Sequence, residues 1–161
     1  VSNGSFELPV VGGAFQNFPP PLPTDWNITS AAGSGDLING YWPAYDGHQS
    51  IDMDGTGQPL TISQILTTTP GAYYTLTFAY ANNPDGSSYQ DFPPSTKVTV
   101  TGSSLLLTVS VTHSLSSFGN MDCTVATFGF VAYSSTPTVV YKSLTQSEPL
   151  FCVGSSVLAL H

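Results

Sequence analysis

Positive charge is nearly missing from this chain: arginine is absent, and Lys97 and Lys142 are its only lysines. Ten acidic residues therefore leave a formal net charge of -8 at pH 7. A phosphate backbone is bound by a stripe of Lys and Arg that displaces counterions, so this balance argues against a nucleic-acid partner. It argues equally against an anionic membrane surface. Charge of either sign is scarce, at 7% of 161 residues, where an ordinary globular domain carries about 25%. Solubility must come from hydroxyls and amides, which suits a surface facing the extracellular medium, sugars or copies of itself.

Other absences narrow the class further. No run approaches the ~20 apolar residues of a membrane-spanning helix, so membrane insertion is not expected. No stretch keeps apolar residues at i, i+3, i+4 and i+7 behind a capping residue, so helices are not expected. Glutamate occurs only at Glu7 and Glu148, and His48, His113 and His161 are scattered without metal-ligand spacing. The Gly-Ser-Ser runs at Gly86, Gly102 and Gly154 lack the second glycine of a nucleophile elbow. A glycosidase needs two opposed carboxylates, and the aspartates fall mainly in turns. The expectation is a protein without catalysis and without a cofactor.

What is present is strand pattern. Leu60–Leu66 alternates, Thr67-Thr68-Thr69-Pro70-Gly71 turns the chain, and Tyr73–Ala81 alternates again. In the second run Tyr74, Leu76, Phe78 and Tyr80 form the larger, more apolar side and should face a core, leaving Thr75, Thr77, Ala79 and Ala81 to the other face. Further strands are expected over Lys97–Thr101, Leu105–Thr112, Val125–Ala132, Thr138–Leu144 and Cys152–Leu160, punctuated by Gly, Pro, Asn and Ser clusters. The first 50 residues look looser, with a polyproline-II-like connection over Phe18–Pro23. Residues 1–161 then read as a single two-sheet antiparallel β-sandwich domain.

The order of local motifs carries a resemblance. Asn3-Gly4-Ser5-Phe6-Glu7 opens the chain and Trp26 follows. Then come Tyr41-Trp42-Pro43-Ala44-Tyr45-Asp46-Gly47-His48-Gln49-Ser50-Ile51-Asp52-Met53-Asp54-Gly55 and Ile62–Gly71. Tyr74–Phe78, Ala81-Asn82-Asn83-Pro84 and Phe128-Gly129-Phe130-Val131-Ala132 complete the pattern. In this order the chain resembles the bacterial secreted choice-of-anchor C proteins and the related plant cell-wall proteins, which are galactose-binding-domain-like jelly rolls. The resemblance implies an all-β jelly roll outside the cell or at its surface, associated with wall polysaccharide. It departs from the family at Val153–Val157, which lacks a carboxylate before the last strand, and around Met121-Asp122-Cys123.

A sugar site needs aromatic faces for pyranose C–H groups and oriented polar groups for hydroxyls. The densest candidate is Tyr41, Trp42, Tyr45 and Asp46, with Asn83, Asp85 and Tyr89 completing the site from a later loop. The alternative for Trp42 is a core residue. A structural calcium held by Glu7 or a nearby aspartate is the metal site the pattern allows; Asp52-Met53-Asp54-Gly55 fails as an EF-hand because Ser63 stands where a Glu is needed. Cys123 and Cys152 are expected to pair, closing a loop worth roughly 3–4 kcal/mol. Asn3 and Asn27 begin glycosylation sequons, and Val1 reads as a mature N-terminus or as a boundary of the sequence. Two functions follow: a secreted module that binds carbohydrate or cell-wall polymer, or a subunit of an extracellular fibre joined through Val1–Val11 and Val157–Leu160 by β-augmentation.

Overall fold

The computed structural model describes residues 1–18, 23–29, 35–55, 59–85, 92–145 and 149–160, with side chains left out at 149–155 and Leu160. The proline run expected to be polyproline-II-like lies mostly outside the described residues, as does Tyr89. The described residues contain eleven strands and no α-helix: β1 (Phe15–Phe18), β2 (Asn27–Ile28), β3 (Gly35–Asn39), β4 (Gln49–Asp52), β5 (Thr61–Ile65), β6 (Tyr73–Asn82), β7 (Ser95–Thr101), β8 (Leu105–Thr112), β9 (Thr124–Val131), β10 (Thr138–Ser143) and β11 (Pro149–Leu160). They form a six-stranded sheet, β1-β3-β4-β11-β6-β9, and a five-stranded sheet, β2-β5-β10-β7-β8. Every registered pair is antiparallel. The result is a jelly-roll β-sandwich.

Period-2 alternation accounts for the core. Tyr74, Leu76 and Phe78 of β6 turn inward, and they meet Ile62, Val98, Val100, Val139 and Tyr141 from the other sheet. Phe78 and Trp26 both pack edge-on to Tyr141, with ring centroids 5.5 and 5.8 Å away. Fully burying one such side chain contributes roughly 1.5–3 kcal/mol. The turn before β6 forms as expected. Gly71 has φ +88, and the Ala72 N–H donates to the Thr69 carbonyl at 3.1 Å. That is a type II turn, with Pro70 pre-set at its first corner and glycine supplying the left-handed residue.

The described part of the first 50 residues is more ordered than expected, because it contains β1 to β3 and the start of β4. These strands are short, and all four residues of β4 are buried, so β4 shows no alternation to read. The N-terminal segment is also tied to the body of the sandwich. Phe6 and Val11 belong to the core, and two buried glutamines pin the chain between them. Gln64 Nε2 donates to the Ser2 and Asp25 carbonyls, while its Oε1 accepts the Ser2 N–H. Gln49 Nε2 donates to the Phe6 and Pro9 carbonyls, and its Oε1 accepts the Val11 N–H. An assembly joint built from Val1–Val11 would have to release these contacts or use the side chains left exposed, Val1, Leu8 and Val10.

Candidate binding cleft

The site is built on the outer face of the six-stranded sheet, at its β1-β3-β4 end. In β3, Leu37 turns into the sandwich, which sends Asp36 and Ile38 to the outside; in β4, Ile51 turns in and leaves Ser50 and Asp52 outside. Cross-strand register sets Asp36 opposite Asp52 and Phe15 of β1 opposite Ile38. Gly40, at φ +84, turns the chain after β3, a conformation that costs glycine little. Trp42 then lies over the sheet in a second small core with Ile38, Ala79, Ala81 and Met121. The two alanines leave room for the indole, and Trp42 Nε1–H donates to Ser50 Oγ at 3.2 Å.

Three rings stay open to solvent around this buried Trp. Tyr41 lies 5.6 Å from Phe15 and 5.5 Å from Phe118, centroid to centroid. Their exposures are 50% for Phe15, 42% for Tyr41 and 46% for Phe118, against 3% for Trp42, so the three form the accessible apolar platform. The loop that carries Phe118 is tied down from below. The Ser116 N–H donates to Asn82 Oδ1 at 3.0 Å, and the Ser116 hydroxyl donates to the Met121 carbonyl at 2.9 Å. Buried His113 bridges the same parts, with Nε2 2.8 Å from the Asp122 carbonyl and Nδ1 2.9 Å from Asn82 Oδ1. A platform held this way loses little freedom when a ligand lands on it.

Beside the platform is a polar wall. Asn83 Nδ2 donates to Asp52 Oδ2 at 2.8 Å, the Asp54 N–H donates to Asp52 Oδ1 at 3.0 Å, and the Asp85 N–H donates to Asn83 Oδ1 at 2.8 Å. The Tyr41 hydroxyl points at Asp85 Oδ2, 3.4 Å away. The negative charge of Asp85 chiefly raises the pKa of Tyr41 above its ordinary value, with desolvation and the hydrogen bond adding to it. Burial raises that of Asp36, against a smaller opposing effect of the hydrogen bond from Asn17. Phe15, Asp36, Ile38, Tyr41, Trp42, Asp52, Asn83 and Asp85 together line a cleft of about 160 Å³. Drug-sized pockets begin near ~300 Å³, so this cleft suits a ring seated on a surface rather than enclosed.

Of the residues expected from the sequence, the fold brings Tyr41, Trp42, Asn83 and Asp85 together. Trp42 follows the packing alternative, and Tyr41 is the residue with an open face. Tyr45 is exposed but points away from the cleft, into a second groove of about 260 Å³ with Pro43, Ala44, Asn120, Met121, Asp122 and Cys123. Asp46 accepts a hydrogen bond from the Ser5 hydroxyl at 3.1 Å and stands outside both. Phe15, Asp36 and Phe118 were not foreseen. Outward alternation at Asp36 and Ile38 was the available signal for one of them.

The remaining candidates have structural work. Glu7 Oε1 accepts the His48 and Gln49 N–H groups at 2.9 and 2.8 Å, fastening the N-terminal segment to the start of β4. A calcium ion at Glu7 would have to displace these donors, and among the described residues no cluster of three or more His, Cys, Asp or Glu side chains could hold a metal. A glycan on Asn3 would have to displace two hydrogen bonds of its side chain. Its Nδ2 donates to the Leu8 and Thr24 carbonyls at 2.7 and 2.8 Å, which engages both amide hydrogens. Asn27 is exposed on β2. The side chain of Cys152 lies outside the described residues.

Residues 1–153 match the family described as "Protein of unknown function (DUF642)". Halomucin of Haloquadratum walsbyi (strain DSM 16790 / HBSQ001) is 31% identical over 126 residues, a match covering 78% of this chain and 1% of halomucin. The chain thus spans a very small part of the curated relative it matches. Among solved structures, TmCBM61 in complex with β-1,4-galactotriose superposes with a TM-score of 0.65 at 11% identity, over 99% of this chain and 97% of that one. The CBM22-1 xylan-binding domain from Paenibacillus barcinonensis Xyn10C gives 0.60 at 13%, over 97% and 91%. A family 35 carbohydrate-binding module from Clostridium thermocellum gives 0.57 at 14%, over 84% and 93%. At such identities the likeness speaks for the fold.

Proposed function

Because this chain belongs to the DUF642 family and shares its jelly-roll sandwich with carbohydrate-binding modules, we propose that it is a non-catalytic module that binds carbohydrate in the cleft between Tyr41 and Asp85. One observation carries the reading: a row of exposed rings lies against a wall of fixed carboxylates, on a loop platform that is already packed. Aromatic faces take the C–H side of a sugar ring and carboxylates accept its hydroxyls. A hydrolase would need an acid and a base free to move protons across a scissile bond. Asp52 instead has both oxygens hydrogen-bonded within the protein. Titration calorimetry against β-1,4-galacto-, xylo- and gluco-oligosaccharides tests this. We expect weak, enthalpy-driven binding of at least one of them that Tyr41→Ala weakens tenfold or more; silence across the panel at millimolar sugar would end the proposal.

The same reading places the module outside the cell. There the environment would support a Cys123–Cys152 bridge and a glycan on Asn27. Among the described residues no helix is long and apolar enough to cross a membrane. A second reading, self-assembly into an extracellular fibre, is favoured by β11. That strand pairs with β6 along its length but registers with β4 only at Leu150 and Phe151. Its remaining edge offers a template for a strand from another copy. Sedimentation at high concentration distinguishes the two, since a module without this joint stays monomeric.

A further inference from the structure

We infer that the cleft selects uncharged glycans and rejects acidic ones such as polyuronates; this rests on the carbohydrate reading of the same cleft and names its ligand class. The first observation is where the cations are. Lys97 on β7 and Lys142 on β10 are cross-strand partners, both exposed on the five-stranded sheet. No lysine or arginine is left for the six-stranded sheet, because the chain has no others. An acidic sugar in the cleft would find no cationic side chain and would face Asp36, Asp52 and Asp85.

The second observation is the hydrogen-bond inventory. Each donor-bearing side chain of the cleft is directed at an acceptor of the protein itself: Trp42 Nε1–H to Ser50 Oγ, Asn83 Nδ2 to Asp52 Oδ2, and the Tyr41 hydroxyl to Asp85 Oδ2. What the wall presents outward is chiefly the exposed Asp85 carboxylate, with part-exposed Asp36 and buried Asp52 behind it; an ionised carboxylate only accepts. A neutral sugar supplies O–H donors to such a wall. A uronate or sulfate supplies further acceptors and further negative charge, and gives up hydration with nothing in return.

The experiment compares one polymer with and without charge. β-1,4-Galactan and β-1,4-glucan oligosaccharides are titrated into the protein before and after oxidation of C6 to the carboxylate. We expect at least a tenfold loss of affinity on oxidation. The loss should narrow in high salt, where exposed charges are screened within about 3 Å, and narrow again in Asp85→Asn. Equal or tighter binding of the oxidised sugar overturns the inference while leaving carbohydrate binding intact. If neither form of either sugar binds, the carbohydrate reading itself fails and this inference falls with it.

Discussion

The two outer faces of the sandwich differ more than its two sheets do. On the five-stranded sheet the outward positions are mostly hydroxyls, with two lysines and the apolar Ile65 among them: Thr99 and Thr101 on β7, Thr108 and Ser110 on β8, and Lys97 beside Lys142. Among the described residues no second core covers them. On the six-stranded sheet the outward positions Ile38, Ala79 and Ala81 are buried beneath Trp42 and Met121, and open rings and carboxylates surround that small core. Strand pattern alone would make both faces equivalent. The difference comes from the loops after β3 and β8, which give one face a floor, a shape and a charge while the other remains a solvated surface.

The comparison can be broken at several levels. The largest effect should come from the shared interior. Phe78→Ala removes a fully buried ring at the meeting point of both sheets and should cost about 3–5 kcal/mol. Chemical denaturation reads this, and a loss under about 1 kcal/mol would mean that the inner core is not where stability resides. Next comes Trp42→Ala, expected to cost about 3 kcal/mol and to abolish glycan binding as well, since it removes the floor of one face only. If stability fell and binding survived, the outer cluster would be scaffold rather than site.

A smaller effect sharpens the contrast between faces. Tyr41→Ala should weaken glycan binding tenfold or more, about 1.4 kcal/mol, while unfolding moves by no more than about 0.5 kcal/mol. Ile65→Ala removes a comparably exposed apolar side chain from β5 on the other sheet and should leave binding unchanged. Equal losses from both would erase the distinction. The smallest effect concerns Asp36. Burial raises its folded pKa, so the folded state favours the neutral acid; stability is fullest below the ordinary carboxylate range and is lost as pH rises through the raised value. Asp36→Asn removes that loss. Melting curves of the two proteins should coincide at pH 3 and separate toward neutral pH with the variant higher; a gap of the opposite sign would mean that the ionised carboxylate is stabilised by contacts other than those seen.

Strand identity was readable where alternation is long. Leu105–Thr112 forms β8 over the expected residues, and Tyr74, Leu76 and Phe78 face the core as expected. Ala79 and Ala81 show the limit of that signal. Alternation placed them on the face away from the core, which is right, but it could not say that a tryptophan nearly 40 residues earlier would cover them. The candidate cleft was half legible for a related reason. Tyr41, Trp42, Asn83 and Asp85 sit in turn-rich segments with conspicuous side chains, whereas Asp36 joins them only through its register with Asn17 on one side and Asp52 on the other. Register between two strands of four or five residues is fixed by the whole sheet, and no local pattern announces it.

The position of β11 also bears on how the molecule is made. This strand follows the other ten in the chain, yet it sits in the middle of its sheet, with β1-β3-β4 to one side and β6-β9 to the other. During vectorial synthesis β4 and β6 are made before the strand that joins them, and the gap in the sheet closes only when β11 has left the ribosome. Asp52, at the end of β4, and Asn83, just after β6, belong to opposite halves. The wall that Asp52 and Asn83 share therefore forms only once β11 is in place, and a molecule clipped before β11 would leave its two sides without the strand that sets them together.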